Sequence, residues 1–306
     1  MYFPYLRGHQ SELLALTELY TRNSYYSHTI PIVEPIQTGR VNPFRKLTEQ
    51  GVPFVLVVNP TVGALTTAAG RYAIETAILK KIRKNFQRGM LGIIVTPDTQ
   101  PDLIEYYFDV YPALPKVIIH QADCVNLSPL VYDPSVKYHI FFDNHTSETY
   151  RERFTNYPRV LVRDGFVRRV PVTNHPPFEF FSDLPLTYRQ LGYQGFGDLL
   201  TVGQNYIEKL GGPKAVAIHF TFATRKAVRI AHFISEEVED TSVCTTSRFG
   251  EALEKLIKFI QAYGLNSKTA GIKDFEEYYQ QRSFPDMGGL KKVCLKHHLE
   301  LMQQFL

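Results

Sequence analysis

Residues 91–120 read LGIIVTPDTQPDLIEYYFDVYPALPKVIIH, and they contain the unit on which the fold turns. A short apolar run at 91–96 gives way to an amphipathic stretch at 101–111, and a second apolar run follows at 116–120. Short buried strands alternating with longer amphipathic helices are the pattern of βα units around a parallel sheet. Outward from this unit the alternation recurs. Apolar runs stand at 2–6, 29–36, 53–59, 138–143 and 159–162, and helical stretches at 11–19, 42–50, 71–86 and 147–156 fit between most of them. Ser11 can cap the first of these helices. A run at 198–202 supplies an eighth strand, so the expectation is an α/β fold of the (β/α)8 TIM-barrel-like kind, with extra β-hairpins and a C-terminal helix. The alternative is an open α/β sheet whose edge is finished by antiparallel strands. Two hairpins are read, 159–162 with 166–170 and 215–222 with 229–235, each joined by a short polar turn. In a barrel the second hairpin falls between the eighth strand and a helix at 248–263, on the catalytic side.

Composition bounds the class. The 306 residues are 44% hydrophobic and 21% charged, which excludes a disordered tail, a collagen and a disulfide-stapled miniprotein. That length admits two domains, but α/β barrels use roughly 250 residues as one unit. We therefore expect one barrel-like domain over 1–306, with an irregular, aromatic-rich insertion at about 171–197. Lys and Arg number 34 against 30 Asp and Glu, and a formal charge of +4 is too mild to signal nucleic acid. The group at 80–84 fits the exposed face of a helix. Cys124, Cys244 and Cys294 are far apart and form no C-x-x-C pair, which argues against a disulfide framework and for a reducing compartment. No leader pattern and no window of about 18 uninterrupted apolar residues is present, so a cytoplasmic protein without membrane contact is expected.

In an α/β barrel, catalytic groups sit where strands end and βα loops begin. Polar residues end several of the apolar runs: Arg7, Glu34, Asn59, His120, Asp143, and Arg163 with Asp164. Glu34, between apolar residues and a proline, can act as a general base, or pair with Arg7 or Arg163 to fix an anionic substrate or to lock the first two strands. In Gly195-Phe196-Gly197-Asp198, the glycines Gly195 and Gly197 can bring backbone N–H groups to a phosphate, while Asp198 fixes the turn or joins the catalytic set. Period two places Ala215, Ala217, His219 and Thr221 on one face of a strand, with His232 on its partner. Two such histidines can bind a metal, serve as acid and base, or simply be satisfied polar residues. Asp143 and His145 form an Asp-x-His group that could start a divalent metal site, with His120 or Glu34 as third ligand. On the last helix, His297 joins an apolar stripe and His298 faces solvent. No Gly-x-Ser-x-Gly elbow, Walker loop, His-Glu-x-x-His or kinase set occurs.

These stretches also accumulate into a resemblance. The opening 2–8 with 12–16, the run 30–35, Val58-Asn59-Pro60, Phe181-Ser182-Asp183-Leu184, 195–198, Ala217-Ile218-His219, 232–235, 284–288 and 297–302 resemble a bacterial family related to the phage-type "beta protein" group. The resemblance covers nearly the whole chain. It implies a barrel-type α/β protein from mobile or defence-associated regions, commonly encoded beside a second small gene whose product would be a partner, and it brings no established reaction. Glu34, Asp198, His219 and His232 gain weight by lying inside the matching motifs. The leading expectation is an enzyme acting on a small anionic, phosphorylated or nucleotide-like ligand. In it Glu34 is the base, His219 the acid or electrostatic stabiliser, and Arg7 and Arg163 the anion clamp, with Asn59, His120 and His232 among the ligand-binding groups. The rival is a scaffold subunit that binds a partner through 176–193 and the C-terminal helix.

Overall fold

The computed structural model describes residues 1–22, 28–39, 41–201, 215–236, 245–265, 268–283 and 285–306. Val202, Cys244 and Phe284, which figure in the sequence reading, lie outside the described residues. In chain order the elements begin with β1 (Tyr5–Leu6), α1 (Gln10–Arg22), β2 (Ile32–Val33), α2 (Val41–Glu49) and β3 (Val55–Val57). A long helix follows, α3 (Ala68–Ile74) continuing through a π-helical turn at Glu75–Leu79 into α4 (Lys80–Ile82). Next come β4 (Met90–Val95), α5 (Pro101–Val110), β5 (Lys116–His120), β6 (Val136–Phe142), α6 (Glu148–Glu152) and β7 (Arg159–Val162). The last part holds β8 (Phe178–Ser182), α7 (Leu184–Thr187), β9 (Gly195–Gly197), β10 (Ala217–Ala223), β11 (Val228–Ile234), α8 (Thr245–Ala262), α9 (Ala270–Gln281) and α10 (Met287–Gln303).

Eight strands form one parallel sheet in the order β1-β2-β3-β4-β5-β6-β7-β9. Its edges meet. Phe3 N–H donates to Phe196 O at 2.8 Å, Phe196 N–H to Met1 O at 3.0 Å and Tyr5 N–H to Asp198 O at 2.9 Å. This is the expected (β/α)8 TIM-barrel-like architecture, and the open-sheet alternative falls. Strand parity divides the residues into two cores. Tyr5, Ile32, Val55, Val57, Ile94, Val117, Ile119, Ile140 and Val160 pack together inside the barrel. Their neighbours Leu6, Val33, Leu56, Ile93, Ile118 and Leu161 pack outward against the helices.

Closure explains Gly195 and Gly197. A Cβ on Gly197 would lie 2.2 Å from the Phe3 carbonyl oxygen, and one on Gly195 2.7 Å from the Phe3 ring. These glycines let β9 approach the start of the chain. They form the eighth strand itself, whereas the sequence reading began that strand at Asp198; Leu200, with φ of 51°, turns the chain just beyond it. The first expected hairpin is also corrected. β7 pairs in parallel with β6 and β9, and residues 166–170 form no strand.

The second hairpin is present as β10 and β11, with His219 opposite His232. It gains a third strand from within the segment read as irregular: β8 pairs antiparallel with β11, giving the order β10-β11-β8. One face of this sheet carries Ile218, Phe220 and Phe222 into a second apolar core with α8, α9 and α10. Helix α10 is buried on nearly every side, His297 and His298 included. His298 therefore does not face solvent, because α10 is enclosed between α1, α9 and β10. Among the described residues, no helix is long and apolar enough to cross a membrane.

Candidate functional site

A parallel barrel delivers the residue after each strand to the same end. Here Arg7, Glu34, Gln121, Asp143 and Arg163 directly follow β1, β2, β5, β6 and β7. Period two sets Arg7 on the inward side with Tyr5, and Glu34 on the inward side with Ile32. The two side chains meet as an ion pair, with Glu34 wholly buried and Arg7 5% exposed. Tyr5 OH donates to the same carboxylate oxygen at 2.7 Å. The other oxygen accepts the Thr61 backbone N–H at 2.7 Å and its hydroxyl at 3.1 Å, and that hydroxyl lies 3.3 Å from Gln121 Oε1. Burial and the Glu34 charge keep the Tyr5 phenol well above its ordinary range, so it stays a donor. A carboxylate held by four donors is an anchor for Arg7 and Thr61. The arrangement matches the strand-locking pair more closely than a free general base.

Glu12 stands beside this cluster and was not singled out from sequence. Its Oε2 accepts the His9 backbone N–H at 3.0 Å, three residues upstream, as in a capping box at the start of α1. Burial, only partly offset by that N–H and by Lys291 and Arg7, pushes its carboxyl up to about 7. The His-x-x-Glu spacing was the available signal.

Other predicted residues are drawn elsewhere. Asp143 accepts Arg151 at 2.9 Å on one oxygen and Arg163 at 2.6 Å on the other, and Arg163 continues to Asp183 at 2.6 Å. Arg163 is thus tied to carboxylates of its own side of the barrel and does not reach Glu34. Asp143 and His145 gather no third His, Cys, Asp or Glu among the described residues, and the exposed His145 ring lies 6.1 Å from Phe142. The metal reading for that pair fails because guanidinium groups hold both oxygens. Asn59 exchanges two 2.8 Å hydrogen bonds with the Ile94 backbone, locking β3 to β4. His120 has outward parity and is wholly buried, 2.8 Å from Tyr150 OH and 3.0 Å from His139, against Phe141 and Phe154. It is remote from the barrel interior because the residue before it, Ile119, takes the inward position.

Asp198 also points outward. It accepts Tyr2 OH at 3.0 Å, the Leu200 N–H at 2.9 Å and His298 Nε2 at 3.1 Å, and His298 Nδ1 lies 2.9 Å from Thr221 Oγ1. The Asp-His-Thr order imitates a nucleophilic triad, but Thr221 and His298 have no exposure at all. Asp198 keeps its turn-fixing role and clamps β9 to β10 and α10. Gly195 and Gly197 offer no phosphate cradle: they pair with Val160 and Val162 of β7 inside the sheet, and Phe196 between them makes closing bonds to the start of the chain.

His219 and His232 come together as expected, their Nδ1 atoms 2.7 Å apart. Two residues not foreseen join them. His232 Nε2 lies 2.8 Å from Glu179 Oε1 on β8, and Arg169 donates to the other Glu179 oxygen at 2.8 Å. His175 lies between them, its ring centroid 4.9 Å from His219 and 4.4 Å from His232. Burial, with mutual repulsion, holds His219 well below the usual imidazole range; burial lowers His232 to about 4 and lowers His175. The Arg169 and His232 contacts keep Glu179 below the usual carboxylate range against the opposing effect of burial. The 171–197 segment hid this pair: the aromatic, partly alternating Phe178-Glu179-Phe180-Phe181 is a strand signal, but it is short and set among prolines and turn residues.

The fold and these clusters define a (β/α)8 barrel carrying a three-stranded β-sheet on its last two βα connections. Compared with known proteins, the chain matches no protein-family model, no curated protein and no solved structure.

Proposed function

We propose that the protein is an enzyme acting on a small anionic, phosphorylated or nucleotide-like ligand at the carboxyl end of the barrel, in the bacterial or phage conflict setting that the family resemblance implies. The observation that carries this reading is the Glu34 cluster. A buried ion pair adds little stability over apolar packing, yet here one stands where barrels keep their chemistry, joining groups from β1 and β2 with those that follow β3 and β5. In this reading Glu34 positions Arg7 and the exposed Thr61, which meet the anion. The test is isothermal titration with nucleotides and phosphomonoesters, alongside phage-protection assays of Glu34→Gln and Thr61→Ala. Weakened binding and lost protection in folded variants are expected. Variants that bind and protect like wild type refute the site.

A second reading, a scaffold subunit for a partner encoded by a neighbouring gene, is favoured by Phe178 and Phe180, which are 44% and 54% exposed on the edge strand β8. Tyr188, inside the 176–193 segment expected to bind the partner, is 2% exposed and offers it no surface. A stoichiometric complex abolished by Phe180→Ala, with Glu34→Gln still protective, supports it.

A further inference from the structure

The half-buried face of the three-stranded sheet holds the densest gathering of potential ligand atoms among the described residues. His175, His219 and His232 each offer a ring nitrogen, and these atoms all lie within 4.8 Å of one another. The three rings form a compact triangle with centroids 4.4, 4.9 and 5.0 Å apart. Each comes from a different part of the chain. His219 and His232 are cross-strand partners, and His175 enters from the turn before β8.

Hydrogen bonding sets which nitrogens face inward. His232 Nε2 can donate to Glu179 Oε1, since the carboxylate only accepts, and that leaves His232 Nδ1 as a lone pair directed at His219. Arg169 holds Glu179 from the other side. His175 Nδ1 is buried without a hydrogen-bond partner, 3.6 Å from Glu179, in a residue only 6% exposed. A buried polar atom left unmatched costs about 1–3 kcal/mol, so this ring calls for something the protein's own groups do not provide.

We propose that His175, His219 and His232 form a three-histidine site for a divalent zinc-type metal ion, with Glu179 as the carboxylate that orients His232. A metal-bound histidine characteristically donates its second N–H to a carboxylate, and the His232–Glu179 contact has that form. Three histidines leave a fourth position for water, the composition of catalytic rather than structural zinc sites. Zinc bonds nitrogen at about 2.0–2.1 Å, so tetrahedral ligands stand about 3.3 Å apart. The 2.7 Å His219–His232 contact is the spacing of a shared proton. On loading, His219 moves that proton from Nδ1 to Nε2 and the rings part slightly, with no net proton release. Nothing in this assignment depends on the Glu34 cluster.

The experiment strips the purified chain with chelator and titrates it with Zn(II) by calorimetry and with Co(II) by visible absorption. We expect one ion per chain, the d–d bands of four-coordinate Co(II), and an X-ray absorption edge showing three imidazole ligands on zinc. Glu179→Gln should weaken binding by roughly 10- to 100-fold, and His175→Ala, which removes a ligand, by more. His175→Ala breaks no hydrogen bond of that ring's Nδ1, and circular dichroism checks that it is folded. Absence of stoichiometric uptake overturns the proposal, as does a folded His175→Ala that binds as tightly as wild type. The X-ray absorption spectrum of wild type decides the matter without any variant: fewer than three imidazoles on the metal overturns it.

Discussion

Gly197 is the residue whose side chain, or lack of one, decides whether the barrel closes. An added Cβ would stand 2.2 Å from the Phe3 carbonyl, and a backbone atom cannot turn aside as a side chain can. At Gly195 the first obstacle is the Phe3 ring at 2.7 Å. Overpacking commonly costs about 1–3 kcal/mol. We expect Gly197→Ala to lose at least about 3 kcal/mol, or to fail to fold, because the β1–β9 contacts must part, and Gly195→Ala to lose less. Urea denaturation of the two variants checks the order; equal stabilities would contradict this account of closure. The glycine pair also shows what local reading misses: a Gly-x-Gly turn and a close strand crossing look alike in one dimension.

At the level of elements, α10 is the unusual helix. Most surface helices present one apolar stripe, but α10 lies among α1, α9 and β10 and buries Lys296, His297 and His298 along with its apolar residues. Each buried polar group is matched: Lys296 to Glu18 and Asp274, His297 to Thr221 O, and His298 to Asp198. Its start is capped by Asp286, which accepts the Gly289 N–H at 2.7 Å. Asp286→Ala should lower stability by about 1 kcal/mol in equilibrium denaturation. No effect would mean that the packing holds the first turn without the cap. For the strands, the run 116–120 is β5 to the residue: its centre, Val117-Ile118-Ile119, is apolar on both faces as a buried central strand demands, and the polar ends Lys116 and His120 are buried with hydrogen-bond partners. β8 escaped notice because it is an edge strand, with Phe178 and Phe180 exposed and Glu179 turned to the histidines.

Across the whole molecule, buried groups set opposing pH dependences, the Glu12 carboxyl on one side and histidines such as His139, His120 and His297 on the other. The Glu12 carboxyl is raised from 4.5 to about 7 by burial, so the folded state binds its proton more tightly. Its contribution is fully present below about 4.5 and is lost as pH rises through 7, on the order of 3 kcal/mol. His139 is lowered from 6.5 to about 4 by burial, so its contribution is present above 6.5 and is lost as pH falls towards 4, again on the order of 3 kcal/mol. Between about 4.5 and 6.5 the two largely offset one another. Glu12→Gln keeps an acceptor for the His9 N–H while removing the titration. Its unfolding free energy should therefore climb more steeply with pH than that of wild type over this window. Parallel profiles would show that Glu12 ionises normally.

The one-dimensional pattern determined the βα alternation, since apolar runs and amphipathic segments reflect burial along the chain, whereas closure of the sheet, as against an open one, was decided by the contact of β9 with the start of the chain. The pattern also put Arg7 within reach of Glu34, because successive strands of a barrel are neighbours and each of these residues ends one, but it left Arg163 as an equal partner, and the structure chose Arg7. The pattern did not determine which strand-end residues look inward. A shift of one residue sent His120 and Asp198 to the helix layer, where they serve packing. Nor did it foresee the histidine cluster. His175 and Glu179 meet His219 and His232 only because β8 pairs with β11, and pairing between segments about 50 residues apart is settled by the energy of the assembled sheet rather than by local preference.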